Sequence, residues 1–151
     1  MTTISTPTVI TTVIDNTWHY AHEPAEIDQL ITRVLDTPAH RVSLFYVWDR
    51  PCRSWRDPAG EAFPEQSLRV ATSSELGFGA LSYHRYQHEL LDSYNPEFTE
   101  STPPLLFDPE GDLWFPASAS LPLDQAREAI TEYCRTGTRP ESVRWQPGQW
   151  Y

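Results

Sequence analysis

Apolar positions recur along this chain with two periods, one of two residues and one between three and four, and the alternation divides it into strands and helices. Residues 8 to 14, Thr-Val-Ile-Thr-Thr-Val-Ile, are almost all β-branched. Stiff branched side chains pack best on a pleated surface, so this run predicts a first strand. From Pro24 to Asp36, Ile27, Leu30, Ile31, Val34 and Leu35 fall on one helical face, with Pro24 suited to the first position and Thr37-Pro38 as the stop. Arg41 to Trp48 places Val42, Leu44, Tyr46 and Trp48 on one side and Phe45 and Val47 on the other. That pattern predicts a central strand buried on both faces.

Asp49 to Gln66 holds Pro51, Pro58, Pro64 and Gly60 and no sustained period, so it reads as a long loop of the kind that carries function. Leu68–Thr72 and Leu76–Tyr83 read as a hairpin turning near Ser73, Ser74 and Glu75, with Gly77 and Gly79 marking a bulge or a close backbone approach. A second hairpin joins Leu105-Leu106-Phe107 to Leu113-Trp114-Phe115 through Asp108-Pro109-Glu110-Gly111, which suits a type I turn. Leu121 to Arg135 carries Leu123, Ala126, Ile130, Tyr133 and Cys134 as an inward stripe, opened by Pro122 and closed by Gly137. Ser142 to Trp145 can close the sheet, and Trp150 is the one tail residue expected to dock. The sum is a single α+β domain over residues 1–151. Its mostly antiparallel sheet has about five to seven strands, and its two main helices span about 24–36 and 122–135.

Composition narrows the function. The 151 residues include 21 acidic and 11 basic side chains, a net charge of −10, and every cation is arginine. Phosphate neutralisation supplies most non-specific nucleic-acid affinity, so direct DNA or RNA binding is not expected, and Schiff-base lysine chemistry has no residue to use. Cys52 and Cys134 lie far apart in a chain that opens with neither a signal sequence nor a membrane-spanning run. A reduced, soluble, cytoplasmic protein with free thiols is the expectation.

Candidate chemistry is thin. His84 and His88 stand four apart, the spacing of a zinc-binding helix, but Arg85 occupies the place of the catalytic glutamate. His19 and His22 precede the first helix in what reads as a turn, with no third ligand near. Gly77-Phe78-Gly79 lacks the third glycine of a dinucleotide site, and Ser73 and Ser74 lack a nucleophile-elbow frame. No cofactor is implied. What stands out is negative charge joined to large rings: six Trp, seven Tyr and six Phe. Between His84 and Asp112 a single cation, Arg85, faces seven carboxylates. The segment reads either as a solvated acidic loop or as a recognition surface that steers a basic partner. Trp48 and Trp114 sit in strands and read as core, whereas Trp55, among Arg53, Arg56 and Asp57, is open to both readings.

The C-terminal half carries a recognisable text. Gly79-Ala80-Leu81-Ser82-Tyr83, Trp114-Phe115-Pro116, Leu121-Pro122-Leu123, Ala126-Arg127-Glu128-Ala129, Thr136-Gly137, Arg139-Pro140 and Val143-Arg144-Trp145-Gln146 follow in this order. From about residue 67 to 146 the chain resembles immunity protein family one of bacterial polymorphic toxin systems. The resemblance implies a single α+β domain, common in actinobacteria, that neutralises a cognate toxin, often a deaminase acting on nucleic acid. The matched pieces are scaffold and do not mark the binding surface.

The expectation is therefore a non-enzymatic inhibitor whose partner is a toxin domain, with Trp55, Asp57, Tyr86, Glu89, Asp92 and Tyr94 at the interface and Glu97 as rim charge. Two alternatives stand beside it. One is a small-ligand or metal-binding domain, or a hydrolase, using His84 or His88; the other is an acidic regulatory subunit of a non-toxin complex.

Overall fold

The β-branched run near the N-terminus forms a strand, β1 (Val9–Ile14), and turns at once into a second, β2 (Thr17–Ala21). The computed structural model describes residues 8–36, 41–108 and 112–148. After β2 come α1 (Pro24–Leu35), β3 (Arg41–Trp48), β4 (Gln66–Ser73), β5 (Phe78–Arg85) and β6 (Glu89–Tyr94). A short pair, β7 (Leu106–Asp108) and β8 (Leu113–Trp114), precedes β9 (Leu121–Pro122), α2 (Leu123–Thr136) and β10 (Arg144–Pro147). The main sheet runs β10-β6-β5-β4-β3-β1-β2, with β9 attached to β5, and β7 and β8 make a separate two-stranded sheet. Every pairing is antiparallel. This is the α+β architecture with two helices that the periodicity predicts.

Both helices lie on one face of the sheet. Pro24 opens α1, and Glu26 Oε1 accepts the backbone N–H of Glu23 at 3.1 Å, holding the first turn. Gly137 closes α2 in the left-handed region at φ 69°, its N–H donating to Tyr133 O at 2.7 Å. Ile31, Val34 and Leu35 of α1 and Ala126, Ala129, Ile130, Tyr133 and Cys134 of α2 are buried against Ile10, Phe45, Val47, Leu68, Val70 and Leu81. α2 packs directly on Gly79, where an added Cβ would stand 3.0 Å from Ala126 Cβ. Gly79→Ala is accordingly expected to push α2 from the sheet and cost about 1–3 kcal/mol, read as a lower urea midpoint with unchanged slope. A midpoint equal to that of the wild type would show that the helix can move at no cost.

Several expectations need correction. β2 was not anticipated, and it takes His19 out of a turn and into a strand. Its hairpin is a two-residue turn in which Asp15 and Asn16 both adopt positive φ, 49° and 62°. β3 is interior as predicted, but among its described side chains only Ser43, Phe45 and Val47 are buried, while Val42, Leu44, Tyr46 and Trp48 are half-buried on the helix-free face. Gly77, at φ 82°, belongs to the β4–β5 turn rather than to a bulge. The acidic stretch after His84 is no loop at its start, since β6 pairs with both β5 and β10. Trp114 is 42% exposed, not core, because β8 is two residues long at the rim of the second sheet. The closing strand is displaced to Arg144–Pro147. Thr37-Pro38, most of the Asp108–Gly111 turn and Trp150 lie outside the described residues.

Candidate functional site: the helix-free sheet face

Strand alternation sends Val13, Trp18, Leu44, Tyr46, Arg69, Ser82, His84 and Asp92 to the face opposite the helices. Two covering segments take part of it. Residues 95–108 and 112–120 lay Leu105, Phe115 and Ala119 on Ala71 and Ala80, clamped by Arg69, whose Nη1 donates to Phe107 O at 3.0 Å. Ser93 Oγ, donating to Ala119 O at 2.7 Å, and Asn95 Nδ2, donating to Ser120 O at 3.0 Å, fasten the same segment to β6.

The proline-rich stretch after β3 covers the other end and is more ordered than a structureless loop. Arg53 and Ala62 exchange backbone hydrogen bonds at 2.9 and 3.0 Å, closing a ring that Arg53 Nε tightens through Gly60 O. Cys52 is buried beneath it, its N–H on Thr11 Oγ1 and its carbonyl accepting Tyr20 OH, both at 3.2 Å. Phe63 returns the stretch to the sheet, 5.7 Å from the Trp18 ring and 5.2 Å from Tyr46.

Between the covers the face is concave. A cleft of about 590 Å³ is floored by Trp18, Tyr46 and Phe63 and walled by Trp55. A neighbouring one of about 430 Å³ shares Tyr46 and Phe63 and is bounded by His84 and Tyr86. The two adjoin at Tyr46 and Phe63 to make a groove with one bulky exposed ring on each cleft, Trp55 at 72% exposure on the first and Tyr86 at 62% on the second. Its walls are braced to each other: the Tyr86 N–H donates to Glu65 O at 2.9 Å, and His88 Nε2 lies 3.2 Å from Glu65 Oε1. Burial pushes the Tyr46 hydroxyl up to about 12, with Cys52 and Glu61 adding to the shift, so the floor is neutral. Burial also raises both thiols, Cys134 to about 12, which keeps them protonated at neutral pH.

The expected interface residues divide into groups. Trp55 and Tyr86 frame the groove, and Asp57 lies in the same ring-closing loop, half-buried, its Oδ1 accepting the Ala59 N–H at 2.8 Å. Tyr94 and Glu97 sit at the far end of β6, where Tyr94 meets Phe98 edge-on at 6.4 Å and Glu97 is exposed. Glu89 is half-buried and engaged, 3.5 Å from Arg85 and 3.2 Å from Arg139. Asp92 differs most from expectation: it is 2% exposed, between Ser82 and Gln146 in the sheet, and does not reach the surface. Trp18, Tyr46, Phe63 and Glu61 belong to the groove and were not singled out, because three separate segments supply them.

The histidine pair does not form the helical ligand set its spacing allowed. His84 is the penultimate residue of β5 and His88 lies in the turn beyond it, and among the described residues no three His, Cys, Asp or Glu side chains come together as a metal set. Among those residues, too, no helix is long and apolar enough to cross a membrane.

A small α+β domain that presents a braced, ring-lined concave sheet face has the form of a protein-binding module. The family comparison gives that form its lineage: the Immunity protein Imm1 family model matches residues 16–147, from the β1–β2 turn through β10, and the chain belongs to this family. The match extends well upstream of the C-terminal text and takes in β2, α1 and β3. No curated protein matches the chain. As an Imm1 member it is an immunity protein of a toxin system, an inhibitor whose partner is a toxin.

Proposed function

We propose that this immunity protein neutralises a toxin that acts on nucleic acid, such as a deaminase, by docking its helix-free sheet face against the toxin's basic substrate cleft. One observation carries the reading: Trp55 and Tyr86, the two most exposed large rings among the described residues, line two clefts that adjoin at Tyr46 and Phe63. Exposed rings are costly to leave in water and are favoured interface anchors. An enzyme that binds polyanions needs a positive cleft, and a chain of net charge −10 is drawn to it. Charge speeds the encounter while the rings hold the complex. Asp57 belongs to the groove side of this interface, with Tyr94 and Glu97 as a second contact further along β6 and Glu89 as a background charge. Asp92 contributes no contact.

The reading is tested by co-expressing the chain with the toxin domain encoded beside it. Rescue of growth and copurification of the two proteins are expected, with nucleic acid displacing the immunity protein from the purified complex. A complex that forms equally well in saturating nucleic acid would mean that the toxin's substrate cleft is not where the protein binds.

A further inference from the structure

We infer that the cleft beneath Trp55 is a socket for an arginine side chain of the bound toxin, with Glu61 as its counter-ion. The inference rests on the docking reading above and narrows it to one chemistry of partner.

The floor of the cleft is three rings, Trp18, Tyr46 and Phe63, and Trp55 makes a fourth side. Ring faces carry negative charge density and attract cations; a guanidinium, planar and weakly hydrated, suits them better than an ammonium. Glu61 lines the same cleft with an exposed carboxylate, and no cation among the described residues pairs with it. Its charge reaches the floor, where it adds to the upward shift of the Tyr46 hydroxyl.

Among the described residues the molecule already uses this contact three times. Arg50 lies over Trp48 at 4.8 Å, Arg56 over Trp55 at 5.1 Å and Arg69 over Phe107 at 4.6 Å. Arg56 is the informative one, because it lines the cleft itself and covers one face of Trp55. It is an internal occupant of the ring that an incoming guanidinium would share, and its like charge opposes entry. Arg56 and Glu61 therefore act on the socket with opposite signs. A fault in folding would instead make both substitutions harmful, so the pair separates binding chemistry from structure.

The test uses the full chain with its tryptophan indole signals followed by NMR, titrated with a capped Gly-Arg-Gly peptide and with its citrulline counterpart, which keeps the shape and loses the charge. Saturable movement of the Trp18 and Trp55 signals is expected, about tenfold weaker with citrulline. Glu61→Gln should weaken arginine-peptide binding about fivefold and Arg56→Gln should strengthen it about threefold, the scale of single partly exposed charges. Absence of saturable movement, equal binding of citrulline, or weaker binding in Arg56→Gln would overturn the socket. If the peptide fails while Trp55→Ala still abolishes toxin binding, the docking face stands and the socket falls. If the peptide binds but the toxin is indifferent to Trp55 and Tyr86, the docking reading fails, and the assignment of the occupant fails with it.

Discussion

Replacing Trp55 and Tyr86 together by alanine is expected to weaken toxin binding about a thousandfold and to abolish protection, while leaving the fold intact. Each ring has the character of an anchor whose truncation costs at least about 2 kcal/mol, and the two stand on different segments and line different clefts, so their losses should add. Two such losses, about 4 kcal/mol, correspond to a factor near 10³ in the dissociation constant. Stability should scarcely change, because both side chains are exposed and Tyr86 is tied to the molecule through its backbone N–H on Glu65. Calorimetry of the complex and the thermal midpoint of the free variant measure the two effects separately. Trp114→Ala is the matched control: that ring is also exposed, but it lies on the β7–β8 pair, its Nε1 on Asp112 Oδ1 at 3.1 Å, and its loss should leave affinity as it is. An unchanged dissociation constant in the double variant would remove the groove from the account of binding, whatever the fate of the Trp114 control.

The scaffold was legible where a local period reported on a face. α1 and α2 repeat apolar residues at helical spacing and carry their own stop signals, β1 and β3 are rich in β-branched and aromatic residues, and β4 and β5 were marked by the turn between them at Ser73, Ser74 and Glu75. β2 escaped because Thr-Trp-His-Tyr-Ala is short and mostly polar on one side; its signal was the Asp15-Asn16 pair, two residues able to take positive φ between two strand-like runs. β6 escaped for a different reason. Counting charge over His84 to Asp112 averaged carboxylates with unrelated surroundings: Asp92 inside the sheet, Glu89 between two arginines, Glu97 free in solvent. Net charge describes a field at a distance, not the environment of any one group. The groove was only half legible. Trp55 and Tyr86 stood out as rings in loop-like text, but the floor between them exists only in the register, where Val13 lies opposite both Trp18 and Leu44, and Thr11 opposite both Tyr20 and Tyr46.

Asp92 is expected to make the protein less stable as pH rises, the reverse of most carboxylates. Its register neighbours, Ser82 and Gln146, carry no charge, and the Gln146 amide is already committed, its Nε2 donating to Ser93 O at 2.9 Å and to Ser118 Oγ at 3.1 Å. Oδ2 of Asp92 is buried with no hydrogen-bond partner among the described residues. Burial without a partner penalises the ionised form and pushes the carboxyl up from 3.8 to about 6. The sign follows from linkage: a group that binds its proton more tightly in the folded state stabilises the fold fully below its unfolded pKa, and that contribution is lost as pH rises through the folded value. The window is therefore about pH 4 to 6, and at 1.36 kcal/mol per unit the loss amounts to at most about 3 kcal/mol. Asp92→Asn, neutral throughout, should be more stable than the wild type at pH 8 by up to about 3 kcal/mol, with the difference shrinking to nothing near pH 4. Urea unfolding of the two proteins at pH 4, 6 and 8 measures it, and carboxylates that behave in the ordinary way, such as Glu132, cancel in the comparison because both proteins carry them. Backbone N–H donors of Glu141 and Ser142 on the Glu132 carboxylate outweigh its desolvation and lower its pKa, so its contribution fades as pH falls. A gap between the two proteins that stays constant across the three pH values would mean that the Asp92 carboxyl is not the titrating group.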